Sequence, residues 1–188
     1  MTDALETYSD ESLAARAAGG ERAAFDSLIR RYKAPLYRVI RRHIGDGDEA
    51  YDLLQESFIS AWSALGRYDA KRPFAPWLHR IALNKCRDFG RRQSVRRVFL
   101  RLLALSANDP APPETERAEE EIEASTRLAR LDKAIATLPA IYKEPLLLTI
   151  IEGLSQDEAA EILKTTRKAV EMRLYRARQR LVAELQEE

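Results

Sequence analysis

Four residues of the stretch "FAPWLHRIALNKCRDFGRR", 74–92, recur at steps of four, three and four: Arg80, Asn84, Arg87 and Arg91. On a helix that spacing places them on one polar face. No matching run of carboxylates neutralises it, so the face repels itself unless something anionic is bound. Three guanidinium groups in line suit a phosphate backbone, and the Asn84 amide offers both a donor and an acceptor to an exposed base edge. The plain alternative is a solvated basic face on a surface helix. Phe74, Trp77, Leu78, Ile81, Ala82 and Phe89 form an apolar stripe on the same segment, which is ordinary core-facing amphipathicity.

A second cationic set lies near the C-terminus. Arg167, Lys168, Arg173 and Arg176 follow the turn "KTT", and Glu171 is the sole carboxylate from Lys164 to Arg180. Arginines there can clamp phosphates, while a glutamate can accept from a cytosine amino group. A third set is acidic: Asp48, Asp52, Gln55 and Ile59 share a helix face, with Glu56 beside it. An acidic face can be merely solvated, and its meaning comes from standing immediately before the aromatic and basic helix. Catalysis has no footing, because the chain shows no paired carboxylates, Ser-His or Cys-His constellation, or Gly-rich phosphate loop. Cys86 is the single cysteine and His43 and His79 are scattered, so neither a disulfide nor a metal or other cofactor is expected.

The elements that must position these groups are helical. Of 188 residues 32% are charged, yet the net charge is only +1, because a basic stretch from Arg67 to Arg101 and another from Lys164 to Arg180 flank the acidic run around "EEEIE". Two basic patches with an acidic spacer imply two anion-contacting surfaces. No apolar run is long enough to cross a bilayer, and the acidic start lacks a basic segment followed by an apolar one. The expected location is the cytoplasm, with no membrane insertion.

The segment "SANDPAPPETERAEEEIE" has linker composition and divides the chain into 1–98, a linker 99–124 and 125–188. Strand-like alternation is absent from both halves, so the expected fold class is all-α, two helical domains joined by a flexible linker. In the first, Phe25, Leu28, Ile29, Tyr32, Leu36, Val39 and Ile40 keep a helical period across Pro35, which should kink the helix or open a new one. Leu54, Phe58, Ala61 and Leu65 form the next stripe, and Pro76 is suited to a first helical turn. In the second, Leu128, Leu131, Ile135 and Leu138 read as a helix ended at Pro139, and "YKEPLLLTIIEG" as another closed by Gly153. Ser155 and Glu158 form a capping box that starts a short helix with Ala159, Ala160, Ile162 and Leu163 inward. A longer helix then carries Val170, Leu174, Ala177 and Leu181 on its buried side. Short capped helix, tight turn and basic longer helix make a helix-turn-helix pattern, whose second helix fits the major groove.

Taken in order, "DLLQESFISAW", "FAPWLHRIALN", the basic run, the linker and "LPAIYKEPLLLTIIEGLSQDEAAEILKTTRKAVEMRLYRARQRL" resemble an extracytoplasmic-function (ECF) sigma factor of the sigma-70 family across nearly the whole chain. The resemblance implies sigma domain 2 in the first half and sigma domain 4 in the second. It implies core RNA polymerase and promoter DNA as partners, an anti-sigma factor that holds the protein in check, and a stress or envelope-signal regulon. Asp52, Gln55 and Glu56 match the helix that docks on polymerase. The loop "GRYDAKRPFAP" and the helix from Trp77 to Arg92 match the part that melts the minus-ten element, with Lys71, Arg80, Asn84, Arg87, Arg91 and Arg92 as contacts. The helix from Thr166 to Arg180 matches the reader of the minus-thirty-five element, with Arg167, Lys168, Glu171, Arg173 and Arg176 as contacts.

The chain departs from the family pattern in three places. Lys164 stands where the family turn has glycine, which suggests a turn without positive φ. Glu171 and Met172 replace the common Lys-Ser. The stretch "VRRVFLRLLALSAN" is more apolar than a linker, and either extends the preceding helix or forms a partner-binding element. Two other classes remain open at this stage: a helix-turn-helix regulator that works without polymerase, and an enzyme or a sigma mimic that sequesters an inhibitor.

Overall fold

A computed structural model of the chain describes Leu5, residues 7–107 and 123–186, with side-chain surroundings over 7–96 and 129–186. All regular structure among the described residues is helical. The N-terminal half comprises α1 (Asp10–Ala18), α2 (Arg22–Ile44), α3 (Gly47–Ala64) and α4 (Phe74–Ala107); the C-terminal half comprises α5 (Glu123–Thr137), α6 (Ala140–Leu146), α7 (Gln156–Leu163) and α8 (Arg167–Gln186).

Helix α1 was not evident from periodicity, yet its polar residues tie the N-terminal half together. Ser9 caps it by accepting from the Ser12 amide at 3.2 Å. Asp10 accepts from Arg31 at 2.5 Å and from the Tyr32 hydroxyl, and Glu11 accepts from the Phe74 amide at 3.2 Å. That last bond satisfies a donor that the first turn of α4 would leave unpaired. Helix α2 runs through Pro35 without a break, so the proline opens no new helix. The stripe of Leu28, Leu36 and Ile40 buries enough to hold both sides of it together. Gly45 then ends α2 at φ 86° with its amide bonded to the Arg41 carbonyl, and Asp46 caps α3 through the amides of Asp48 and Glu49.

The expected stripe of Leu54, Phe58, Ala61 and Leu65 is buried, as are Phe74, Leu78 and Ala82. Pro76 sits in the first turn of α4, where its missing N–H costs nothing. The helix continues to Ala107, so the apolar stretch after Arg92 extends it and the expected boundary at 98 falls inside a helix. The linker residues 108–122 lie outside the described residues.

In the C-terminal half Pro145 sits inside α6, and the next residues, Leu147–Ile151, form a π-helical turn with Glu152 N–H bonded to the Leu147 carbonyl. A proline cannot donate into the ladder and crowds the carbonyl four residues before it, and a widened turn follows. Gly153 closes the segment at φ 68°. The capping box is present: Ser155 Oγ accepts from the Glu158 amide at 3.2 Å and Glu158 Oε2 accepts from the Ser155 amide at 2.8 Å. Val170, Leu174, Ala177 and Leu181 are buried along α8, with Thr166 capping it through the Ala169 amide at 3.2 Å.

The turn between α7 and α8 corrects the sequence reading. Lys164 takes the left-handed conformation, φ 51° and ψ 52°, instead of avoiding positive φ. The geometry is set by the need to pack α7 against α8 through Ala159, Ala160, Val170 and Leu174. It is strong enough to hold a residue with a Cβ where glycine is favoured.

The two halves pack on each other. Val39 of α2 and Leu83 of α4 are fully buried within the C-terminal core, beside Ile135, Leu147 and Leu148. The backbone approach is close at Gly45, where a Cβ would meet the Ala136 methyl at 3.2 Å.

Candidate nucleic-acid interface

Three surfaces carry the expected functional residues. On the first, Asp52, Gln55 and Glu56 are exposed along α3, and Ile59 beside them is 66% exposed. Asp52 and Glu56 border a 320 Å³ groove whose far wall is Lys85, Asp88, Phe89 and Arg92 of α4. Lys85, which sequence reasoning did not single out, pairs with Glu56 across that groove.

The second surface is the stripe on α4 and the loop before it. Phe74, Trp77, Tyr68 and Tyr32 form an aromatic cluster with ring centroids 5.0–5.6 Å apart. Trp77 is therefore partly core. Its free side helps line a 250 Å³ pocket with Arg67, Tyr68, Asp69, Arg72 and Arg80. The Tyr68 hydroxyl donates to the Arg72 carbonyl and so fixes the loop, and burial pushes that phenol up to about 12. Lys71 at the loop tip is exposed, with its amide bonded to Asp69 at 3.0 Å. A pocket walled by aromatic rings and arginines has the chemistry to stack one unpaired base and hold its phosphate.

Along α4, Asn84, Arg91 and Arg92 are exposed and Arg80 and Arg87 partly covered. The stripe, expected to stand without a run of carboxylates to neutralise it, is paired instead. Arg91 pairs with Asp88 one turn back. Arg87 makes a two-pronged ion pair with Glu144 of α6, Nε to Oε1 at 2.7 Å and Nη2 to Oε2 at 2.5 Å, while its Nη1 donates to Asn84 Oδ1 at 3.0 Å. Arg80 donates to the Glu161 carbonyl of α7 at 3.2 Å. Glu144 was missed, although a charged pair, Lys143-Glu144, inside the apolar run "LPAIYKEPLLLTII" was a signal for it.

Glu144 is only 4% exposed. Burial pushes its carboxyl up, but His43 and Arg87 beside it more than offset that and hold it below the usual carboxylate range. His43 Nε2 stands 3.6 Å from Glu144 Oε1. Next to it Lys143 donates to the His43 carbonyl at 2.9 Å and the Ala136 carbonyl at 2.5 Å, and burial brings its ammonium down to about 8.

The third surface is the outer face of α8. Arg167, Lys168, Glu171 and Arg176 are exposed and Arg173 partly so, with the opposite face buried against α6 and α7. Arg167 pairs with Asp157 of α7 at 3.2 Å. Met172 and Tyr175 add exposed apolar surface to the same side. A helix of this kind, held at its N-terminus by a capped shorter helix, can enter a major groove with its first turns toward base edges.

Comparison with known proteins identifies the family. Sigma-70 region 2 matches residues 28–96 and Sigma-70, region 4 matches residues 128–181. The chain is 37% identical over 182 residues to RNA polymerase sigma factor NccH of Alcaligenes xylosoxydans xylosoxydans, spanning 94% of this chain and 95% of the relative. It is 38% identical over 182 residues to sigma factor CnrH of Cupriavidus metallidurans, spanning 93% of each. The solved structure of CnrH in complex with the cytosolic domain of CnrY superposes with a TM-score of 0.72 at 36% identity, over 95% of this chain and 98% of that one. With regions 2 and 4 in order on one all-helical chain, the protein belongs to the sigma-70 family as an ECF RNA polymerase sigma factor, a transcription initiation factor and not an enzyme.

Proposed function

We propose that this sigma factor divides its work among the three surfaces as follows. Asp52, Gln55 and Glu56 dock on core RNA polymerase. Arg167, Lys168, Glu171, Arg173 and Arg176 read the minus-thirty-five duplex. Lys71, Arg80, Asn84, Arg87, Arg91 and Arg92 take up the minus-ten element, and the Tyr68–Trp77 pocket receives a base freed from it. The observation that carries this reading is the aromatic pocket lying beside a guanidinium stripe on one rigid helix. Unstacking a base costs roughly a few kcal/mol, and such a pocket offsets that cost by capturing the extruded base while arginines hold its backbone.

The domains are read as 1–98 and 125–188 with 99–124 between them, the first helix of the linker being the end of α4. No described helix is long and apolar enough to cross a membrane. We place the protein in the cytoplasm, under an anti-sigma partner and in control of a stress or envelope-signal regulon. Support for such a partner comes from CnrH, which was solved bound to the cytosolic domain of another protein.

Run-off transcription from a genomic library with purified core polymerase tests the assignment. Discrete transcripts whose start sites share two upstream elements are expected. Transcripts that depend on the second half of the chain alone would overturn the role given to α4.

A further inference from the structure

The loop that walls the aromatic pocket is fastened from two places. Within it, the Tyr68 amide bonds to the Leu65 carbonyl at 3.0 Å, the Arg72 amide to the Asp69 carbonyl at 2.9 Å, and the Tyr68 hydroxyl donates to the Arg72 carbonyl. These bonds set the loop's shape from inside. Its far end is tied to α1, where Glu11 Oε1 accepts from the Phe74 amide at 3.2 Å across 63 residues of sequence.

The sequence makes that end depend on a distant partner. In "RPFAP", 72–76, Pro73 stands immediately before α4 and has no side chain that could cap it. Pro73 and Pro76 also lack N–H groups, which leaves the amides of Phe74 and Ala75 as the first-turn donors without a partner inside the helix. A carboxylate suits that place, because a helix N-terminus carries partial positive charge. Glu11 is brought there by its own helix, whose Leu13, Ala14 and Ala17 are buried in the same core as Phe74 and Leu78.

Phe74 passes the constraint on. Its buried ring packs against Tyr68 at 5.6 Å and Trp77 at 5.4 Å between centroids, and those two residues wall the pocket. Asp10 acts on the same ring through Tyr32, whose hydroxyl it accepts and whose ring meets Phe74 edge-on at 5.6 Å. Adjacent carboxylates of α1 thus hold Phe74 by its backbone and by its ring. Glu11 itself does not line the pocket.

We infer that Glu11 is a positioning residue for strand opening. It sets the place of Phe74, Phe74 sets the spacing of Tyr68 and Trp77, and that spacing decides how well a freed base stacks against them. The inference rests on the base pocket proposed above.

The test uses holoenzyme assembled from core polymerase and the full chain, on fork-junction DNA of a promoter found by run-off transcription, with the non-template minus-ten strand left single. Each position of that strand is made abasic in turn. For wild-type protein, loss of the captured base should weaken binding about tenfold, as for one stacked base. Tyr68→Ala, which removes a pocket wall, should abolish that difference and so identifies the base. Glu11→Ala should bind the abasic probe as wild type does, yet gain less than about twofold when the base is restored. Glu11→Gln keeps a neutral acceptor for the Phe74 amide and loses only the charge, so its gain should be about threefold. A role confined to folding would change both affinities alike.

The full tenfold gain in Glu11→Ala, or in Glu11→Gln should it alone fold, would overturn the inference, as would an equal loss on both probes. If Tyr68→Ala alters the response at no position, the base pocket itself is removed and the inference with it, a result distinct from either.

Discussion

Lys85 Nζ lies 3.3 Å from Glu56 Oε2, linking α4 to α3 across the mouth of the groove that Asp52 borders. Both side chains are substantially exposed, so the pair contributes little to stability. What it does is hold the Glu56 carboxylate at the groove edge. Asp52→Arg combined with Glu56→Arg should weaken binding to core polymerase at least about tenfold, with stability changed by no more than about 0.5 kcal/mol. A competition assay against labelled wild-type protein, with denaturant melts alongside, checks both; unchanged affinity would remove this face from the polymerase contact.

Asn84 is exposed, and its Oδ1 accepts from Arg87. Asn84→Ala should reduce permanganate-detected melting of the minus-ten element more than it reduces closed-complex formation, because the base edge it would meet exists only after strand separation. Equal losses in the two assays would place Asn84 in duplex docking.

Glu171 stands on the outer face of α8 among cations, and a carboxylate near phosphates is repelled unless it reads a base or restrains an arginine. Glu171→Gln should relax discrimination at one minus-thirty-five position by about 1–3 kcal/mol while overall affinity holds or rises. Arg176→Ala should weaken all sites alike and lower the salt slope by about one. Titrating a promoter-substitution series at several salt concentrations separates the two, and an unaltered base preference for Glu171→Gln would leave it a solvated surface residue.

Lys164 carries a side chain at φ 51°. Lys164→Gly removes the clash of its Cβ with the backbone, and the gain exceeds the entropy glycine loses on folding, so the variant should be more stable by about 0.5–1 kcal/mol. Urea denaturation monitored by circular dichroism measures it. A loss of stability would mean that the lysine stem is making a contact worth more than the strain.

The Lys143 ammonium gives a pH dependence of definite sign. Burial lowers its pKa from 10.5 to about 8, so between those values the unfolded chain binds the proton that the folded chain has released. Stability therefore rises with pH across that window, and the penalty of the buried charge is fully present below it. Cys86 acts oppositely, since burial pushes its thiol up to about 12 from 9.0 and stability is lost as pH rises above 9.0. The cleanest interval is pH 8 to 9. Wild-type protein should gain denaturant resistance there and Lys143→Met should not; parallel curves for the two proteins would refute the assignment.

Helix placement was legible because it depends on neighbours three and four residues away. Val170, Leu174, Ala177 and Leu181 announce a buried face by spacing alone, and Ser155 with Glu158 announces where a helix starts. The contacts that govern α4 were not legible in that way. Glu144 is 57 residues from Arg87, and nothing in local periodicity selects it among the other carboxylates. Lys164 failed for a related reason: its own preference is against positive φ, and the packing of α7 on α8 overrides it. The residues expected on one helix face do lie on it, whereas Lys85, Glu144 and Glu161, which meet them from a second element, were not singled out.

Helix α4 presents Lys85 and Asp88, which line the groove beside α3, about a third of a turn away from the stripe of Arg80, Asn84, Arg87 and Arg91. Both faces are written on the same few turns, interleaved residue by residue. Point substitutions there alter one face at a time, but adding or deleting a single residue near Ala82 would rotate everything after it by about 100°. An insertion would turn the stripe's guanidinium groups toward the groove beside α3, and a deletion would turn Lys85 and Asp88 onto the stripe. The length of this segment therefore sets both faces at once, and chimeras between relatives must be joined in phase there.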